Sequence, residues 1–80
     1  MSALNFFQNE VEADLKLVRA FNVHGARFVE IGFSLSEDPP ETMRRARVSD
    51  NLIYPDPQPG DRVKIAMLMG NVSRVVKIGN

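Results

Sequence analysis

Residues 60–80 read GDRVKIAMLMGNVSRVVKIGN and carry the clearest secondary-structure pattern in the chain. Two runs rich in β-branched and apolar residues are separated by Gly70 and Asn71. Both residue types tolerate the positive φ angles of a tight turn between antiparallel strands. The sequence therefore predicts a C-terminal β-hairpin with a two-residue turn at Gly70 and Asn71.

The alternation of side chains also predicts the register of this C-terminal hairpin. A two-residue turn places Met69 opposite Val72 and Ile65 opposite Val76, so that one face is almost wholly apolar. A shift by one residue would set Ile65 against Lys77 and mix the two faces. We expect the apolar face to pack in the core.

The other face of the predicted C-terminal hairpin mixes apolar and basic side chains. We take it as the candidate surface for a protein partner; the alternative is that a helix of the domain covers it. Its residues are Arg62, Lys64, Ala66, Leu68, Val75 and Lys77. Lys64 is expected to lie opposite Lys77, where the two charges repel unless an anion or an acidic partner lies between them.

A second antiparallel hairpin is predicted for residues 15–35, with its turn halfway along. Its register places Phe21 opposite Phe28 and Arg19 opposite Glu30. An aromatic pair and an opposite-charge pair each stabilise such a register by about 0.2–1 kcal/mol.

The N-terminal residues predict a short amphipathic helix from residue 3 to about residue 13. Leu4, Phe7 and Val11 recur at helical spacing. No glycine or proline ends this helix early, so a helix that continues to Phe21 is the alternative.

The middle of the chain predicts a second short helix. Residues 38–41 (DPPE) are typical of a helix start, with Asp38 as the N-cap and proline at the first helical position. A basic helix is expected to run through Arg47 and to fray near Ser49. Three prolines at alternating positions then keep residues 51–61 extended.

These elements together predict an α+β fold in a single domain spanning residues 1–80. It would contain a short N-terminal helix, two antiparallel hairpins in a four-stranded sheet or small open barrel, and the basic helix in the middle connection. A chain of 80 residues is close to the lower limit for a self-sufficient core, and it has no cysteine for a disulfide or a thiolate zinc site. With a hydrophobic fraction of 44%, we expect self-association, as a homodimer.

The formal net charge is zero, but the charges are unevenly distributed along the chain. Residues 1–41 contain seven acidic and three basic residues, a net charge of −4, and residues 42–80 contain seven basic and three acidic residues, a net charge of +4. Three interpretations remain open: nucleic-acid contact by the basic half, complementary self-association, or neutralisation of one half by the other within the fold.

Four arginines of the basic half are candidate contacts for an anion or a nucleic acid, because guanidinium groups suit phosphates. They are Arg44, Arg45, Arg47 and Arg74. Two observations weigh against a nucleic-acid footprint. No aromatic residue lies in the basic C-terminal hairpin to stack on a base, and the sequence pI of about 6.6 is near neutral.

No catalytic, metal-binding or cofactor-binding residues are predicted. The single histidine, His24, falls in a predicted turn, there is no cysteine, and the nearby carboxylates Asp38 and Glu41 are explained by helix capping. The N-terminus has neither the basic start nor the long apolar run of a targeting or membrane segment. We therefore expect a cytoplasmic protein without a membrane partner.

The functional expectation is a non-enzymatic protein-binding module: a small subunit, adaptor or inhibitor of a larger assembly that also self-associates. The alternative is a nucleic-acid-binding or regulatory module that uses the basic C-terminal half. Both rest on surface charge and exposed apolar residues rather than on a recognisable motif.

Overall fold

The computed structural model describes residues 8–79, which form five strands and one short 3₁₀ helix. The strands are β1 (Gln8–Val23), β2 (Ala26–Leu35), β3 (Arg44–Ser49), β4 (Arg62–Leu68) and β5 (Asn71–Lys77), and the 3₁₀ helix (Asp50–Leu52) follows β3. The strands lie side by side in the order β3-β2-β1-β4-β5, and every neighbouring pair is antiparallel.

β1 is the central strand, and its 16 residues are shared between two partners. Residues 8–14 pair with β4 and residues 13–23 pair with β2. A β-bulge between Leu15 and Leu17 interrupts the ladder with β2. Such a bulge bends and twists a strand, which allows β1 to curve from one half of the sheet into the other.

The curved sheet is partly closed into a small barrel. Ile53, just after the 3₁₀ helix, forms a parallel bridge with Val75 of β5, and β3 also contacts β5. The two outer strands of the sheet are therefore brought towards each other.

The core lies on the inner face of this barrel, where alternate residues of each strand point. Burying one such Val, Leu, Ile or Phe side chain contributes about 1.5–3 kcal/mol relative to leaving it exposed. The buried cluster consists of Ala13, Leu15, Val29, Ile31, Phe33, Val48, Ile53, Val63, Ile65 and Val75.

The predicted α+β fold is wrong, because the described residues are almost entirely β-sheet and form five strands instead of four. Residues 8–13, assigned to the N-terminal helix, belong to β1, and the alternative helix to Phe21 is also wrong. Ala13 is fully buried and Val11 is half-buried, and they alternate with exposed acidic residues. This is the two-residue period of a half-buried strand. The earlier part of the predicted helix, residues 3–7, lies outside the described residues.

The predicted basic helix is wrong as well, because its residues form β3. The backbone NH of Leu35 donates to Asp38 Oδ2 at 3.0 Å, and Arg44 donates to both carboxylate oxygens of Asp38 at 2.9 Å. Asp38 thus holds a turn that returns the chain to β2 and does not cap a helix. Beyond the turn, Ala46 and Val48 alternate with arginines and face the core.

The β1–β2 hairpin has the predicted register, so this prediction is confirmed. Phe21 pairs with Phe28 and Arg19 pairs with Glu30. Both turn residues, 24 and 25, have positive φ angles, 52° and 84°, as a tight hairpin turn requires.

The predicted register of the β4–β5 hairpin is wrong, by two residues next to the turn and by one residue beyond a bulge. The turn residues are Met69 and Gly70, with φ angles of 53° and 86°, and Asn71 begins β5. A bulge then leaves Ser73 outside the ladder, so that Ile65 pairs with Val75. The displaced turn and the bulge together leave the hairpin with an apolar inner face. The predicted register also had an apolar inner face, but with different residue pairs.

Gly32 in β2 generates the first prediction. A Cβ atom at this position would lie 2.8 Å from Met43 Sδ and 3.1 Å from Leu17 Cβ. We expect Gly32→Val to lower the free energy of unfolding in urea by about 1–3 kcal/mol, because the added methyl groups overpack this contact.

Ala26→Val is the matched control for the Gly32 substitution. Ala26 is exposed at the start of the same strand, where valine is well tolerated. An equal loss of stability in both variants would contradict a specific overpacking at Gly32.

Candidate nucleic-acid interface

The outer face of β1, β2 and β3 carries a cluster of arginine and phenylalanine side chains. In β2, Val29 and Ile31 are buried in the core, so the alternate residues on the strand point outward. Their neighbours across the ladders of β1 and β3 share this outer face. We call the set the arginine–aromatic face: Arg19, Phe21, Phe28, Glu30, Arg45 and Arg47.

Two aromatic rings form one end of the arginine–aromatic face, next to the row of Arg19, Glu30 and Arg47. The ring centroids of Phe21 and Phe28 are 5.9 Å apart with an interplanar angle of 24°, and both side chains are half-buried. Arg47 Cζ lies 5.1 Å from the centroid of Phe21. A cation over an aromatic ring at an exposed site contributes about 0.5–1 kcal/mol. The ring of Phe21 thus already interacts with one planar charged group, the guanidinium of Arg47.

The arginine–aromatic face keeps a net positive charge. Arg19 donates to Glu30 at 2.9 Å, and an exposed pair of this kind contributes little stability. Within residues 8–79, neither Arg45 nor Arg47 has a carboxylate at salt-bridge distance. Three arginines therefore share the face with one glutamate.

Arg44, also predicted as an anion contact, has a structural partner instead. Its paired carboxylate, Asp38, has a side chain only 9% exposed. The hydrogen bond from Arg44, followed by that from the Leu35 backbone NH, lowers the pKa of Asp38 to about 2. The same hydrogen bond raises the pKa of Arg44. Arg44 thus holds the β2–β3 connection.

Arg74, the fourth predicted contact, lies on a different part of the surface. It is on β5, directly opposite Ala66 of β4, and it is exposed. Of the four candidate arginines, only Arg45 and Arg47 join the arginine–aromatic face.

The six residues predicted to bind a protein partner do not share one face. Val75 is 1% exposed and belongs to the core. Lys77 pairs with Val63, and Lys77 Nζ lies 3.9 Å from Asp61 Oδ1. The expected opposition of Lys64 and Lys77 is wrong, because Lys64 pairs with Val76. The remaining predicted residues alternate along β4. Arg62 and Leu68 are exposed and Lys64 is half-buried, but Ala66 is buried, with 6% of its surface exposed.

Arg62 links the basic β4 to the acidic start of β1. Its guanidinium nitrogens lie 3.1 Å from Asp14 Oδ1 and 3.1 Å from Glu12 Oε1, and it donates to Ser36 Oγ at 2.8 Å. These hydrogen bonds to Asp14 and Glu12 raise the pKa of Arg62. Part of the charge asymmetry of the sequence is therefore neutralised within the sheet.

Sequence reasoning missed the phenylalanines as site residues. Phe21 and Phe28 served only to set a register, and the basic residues were assigned to a helix and to the C-terminal hairpin. Because β3 pairs with β2, Arg47 lies over the ring of Phe21, and Arg45 lies two residues away on the same face. The available signal was residues 45–48 (RARV), whose charged and apolar residues alternate with the period of a strand.

Comparison of the chain with protein-family models, curated proteins and solved structures finds no match. Within residues 8–79, no helix is long and apolar enough to cross a membrane.

The Asp38–Arg44 pair generates a prediction about pH. The pKa of Asp38 is lowered from 3.8 to about 2 on folding, so its contribution to stability is complete above pH 3.8 and is lost as the pH falls towards 2. We expect Asp38→Asn to lower the Tm at pH 7 and to flatten the fall in Tm between pH 4 and pH 2, as measured by circular dichroism.

Asp56→Asn is the control for the pH experiment. The carboxylate of Asp56 is exposed and accepts a hydrogen bond from the Gln58 side chain, with no arginine at salt-bridge distance in the described part of the chain. If Asp38→Asn and wild type showed the same pH profile, the proposed role of the Asp38–Arg44 pair would be wrong.

Proposed function

We propose that the protein is a small binding module that holds single-stranded nucleic acid on the arginine–aromatic face. The observation that carries this proposal is the stacked Phe21–Phe28 pair with the Arg47 guanidinium over one ring. Aromatic rings stack on bases of any sequence, and arginines neutralise the phosphates between them.

The geometry around Phe21 suggests how a base would bind. The Arg47 guanidinium is a flat group lying over the ring, and a nucleobase is a flat group of similar thickness. A base would take this place while Arg47 turns to a phosphate, and Arg45 lies two residues away on the same face. Stacking of this kind is worth about 1–3 kcal/mol per base.

The architecture of the chain supports the same proposal. β5 lies parallel to the segment that follows β3. Together with the strand order, this arrangement resembles the OB-fold, a partly open five-stranded Greek-key barrel. In such barrels the face of strands 2 and 3 binds oligonucleotides or oligosaccharides. A fold alone does not determine which ligand binds. We propose nucleic acid as the ligand because of the charges of Arg19, Arg45 and Arg47.

Binding of a fluorescein-labelled oligothymidylate, measured by anisotropy, tests the proposal. Phe21→Leu keeps an apolar side chain but removes the ring, and we expect it to weaken binding by about 5- to 150-fold, the equivalent of one lost stack. Wild type should lose affinity as salt rises, with a log–log slope of about −2, because each of roughly three neutralised phosphates contributes about −0.7.

Two matched charge changes and a duplex complete this experiment. Arg45→Glu should weaken binding strongly, whereas Arg74→Glu, the same change on the exposed surface of β5, should weaken it much less. Equal losses would point to unspecific attraction by charge. Equal affinity for a DNA duplex, whose bases cannot stack on a side chain, would overturn the proposal.

A second candidate function is protein binding by the tip of the β4–β5 hairpin, with another copy of the chain as the partner. Leu68 and Met69 are 43% and 77% exposed there. Met69 lines a groove of about 590 Å³ whose lining also includes Val11, Leu35 and Met67. Exposed apolar residues beside a groove favour association, and methionine adapts readily to a partner surface.

Mass in solution, measured by light scattering, tests this second candidate. We expect wild type to form a dimer and Leu68→Glu to form a monomer, because a buried glutamate would lack a partner charge. Val23→Glu, a similar change at an exposed position of β1 (40% exposed), is the control and should leave the dimer intact. A monomeric wild type across the micromolar range would contradict self-association.

A further inference from the structure

Within the described residues, β3 and β5 contact each other but do not form a ladder. Among residues 8–79, β3 pairs with β2 alone, and β5 pairs with β4 apart from the single bridge between Val75 and Ile53. Away from that bridge the two strands enclose a groove of about 330 Å³. We call this groove the seam. Its lining includes Phe33, Arg45, Ala46, Met67, Asn71 and Val72.

The edge of β3 in the seam carries unpaired backbone groups. A strand with one free edge presents NH and C=O groups that can pair with another chain. Peptides that bind in this way obtain affinity from backbone hydrogen bonds and specificity from alternate side chains.

The side chains around the seam specify the chemistry of such a peptide. Phe33, Met67 and Val72 provide an apolar floor. Arg45 and Arg47 stand on the outer side of β3, with no carboxylate at salt-bridge distance among the described residues. An added strand would place one set of alternate side chains on the floor and the other set beside these arginines.

We propose that the seam binds an extended acidic segment of a partner protein, which adds as a strand to the free edge of β3. Its side chains alternate between apolar residues, directed to the floor, and Asp or Glu, directed to Arg45 and Arg47. This site shares Arg45 and Arg47 with the arginine–aromatic face, but it needs the backbone edge of β3 and not an aromatic ring.

A labelled peptide, Glu-Val-Glu-Val-Glu-Val-Glu, tests the proposal with the full chain. In a strand, alternate NH groups point to the same edge, so one edge is blocked by methylating the backbone nitrogens of the valines and the other by methylating those of the glutamates. We expect the unmodified peptide to bind and one of the two methylated peptides to bind at least about tenfold more weakly. Hydrogen exchange of the β3 amides should slow in the complex.

Three results would overturn the proposal: no binding of the unmodified peptide, equal binding of all three peptides, or unchanged exchange of the β3 amides. The first would mean that the arginines protect the edge against strand addition. The second would mean that charge alone attracts the peptide.

A charge exchange checks the assigned contact. Arg45→Glu should weaken binding of the glutamate peptide and strengthen binding of the corresponding lysine peptide, and its melting temperature controls for folding. Phe21→Leu should leave peptide binding unchanged. Peptide binding without oligothymidylate binding, or the reverse, would therefore separate this proposal from the nucleic-acid proposal.

Discussion

The bend in β1 is the constraint on which the rest of the structure depends. One strand pairs with β4 in its first half and with β2 in its second half, and the bulge at Leu15 to Leu17 directly follows the residues where the two ladders overlap. At the bulge, the backbone NH and C=O of Leu15 bond to Asp61 and Gly60 at 2.9 and 2.8 Å. Both groups of a fully buried residue are thus satisfied, and the chain entering β4 is fixed against β1.

The connection from β3 to β4 closes the barrel without an α-helix. The hydroxyl of Tyr54 donates to Asp61 Oδ2 at 2.7 Å, and the backbone NH of Gln58 donates to the same oxygen at 3.0 Å. These hydrogen bonds lower the pKa of Asp61, while burial, followed by the neighbouring carboxylate, raises the pKa of Tyr54. The proline-rich segment is therefore held at both ends, by Ile53 on β5 and by this small polar cluster.

Some charged side chains stabilise the fold through ion pairs, and others lie on the surface without an ion pair among the described residues. Asp38 and Arg44 hold a turn, and Arg62 joins β4 to the acidic residues of β1. Arg45 and Arg47 remain exposed on the outer face, with Arg47 over the half-buried ring of Phe21. Neutralisation within the fold therefore accounts for part of the sequence charge pattern and leaves these two basic side chains on the surface.

Local sequence was sufficient for the β1–β2 hairpin but not for the β4–β5 hairpin, where a displaced turn and a bulge changed the register. The β1–β2 register followed from side chains that meet within one hairpin, since a turn that tolerates positive φ fixes which residues face each other. It was not sufficient for residues 8–13 and 44–49, whose short patterns fit a helix and a strand alike. Pairing with β4 and β2, far away in sequence, decided that both are strands, because only there are their backbone groups satisfied and their apolar residues buried. The candidate site joins the β1–β2 hairpin, whose register the sequence predicted, to β3, whose residues had been assigned to a helix, so the combination was visible only in the tertiary structure.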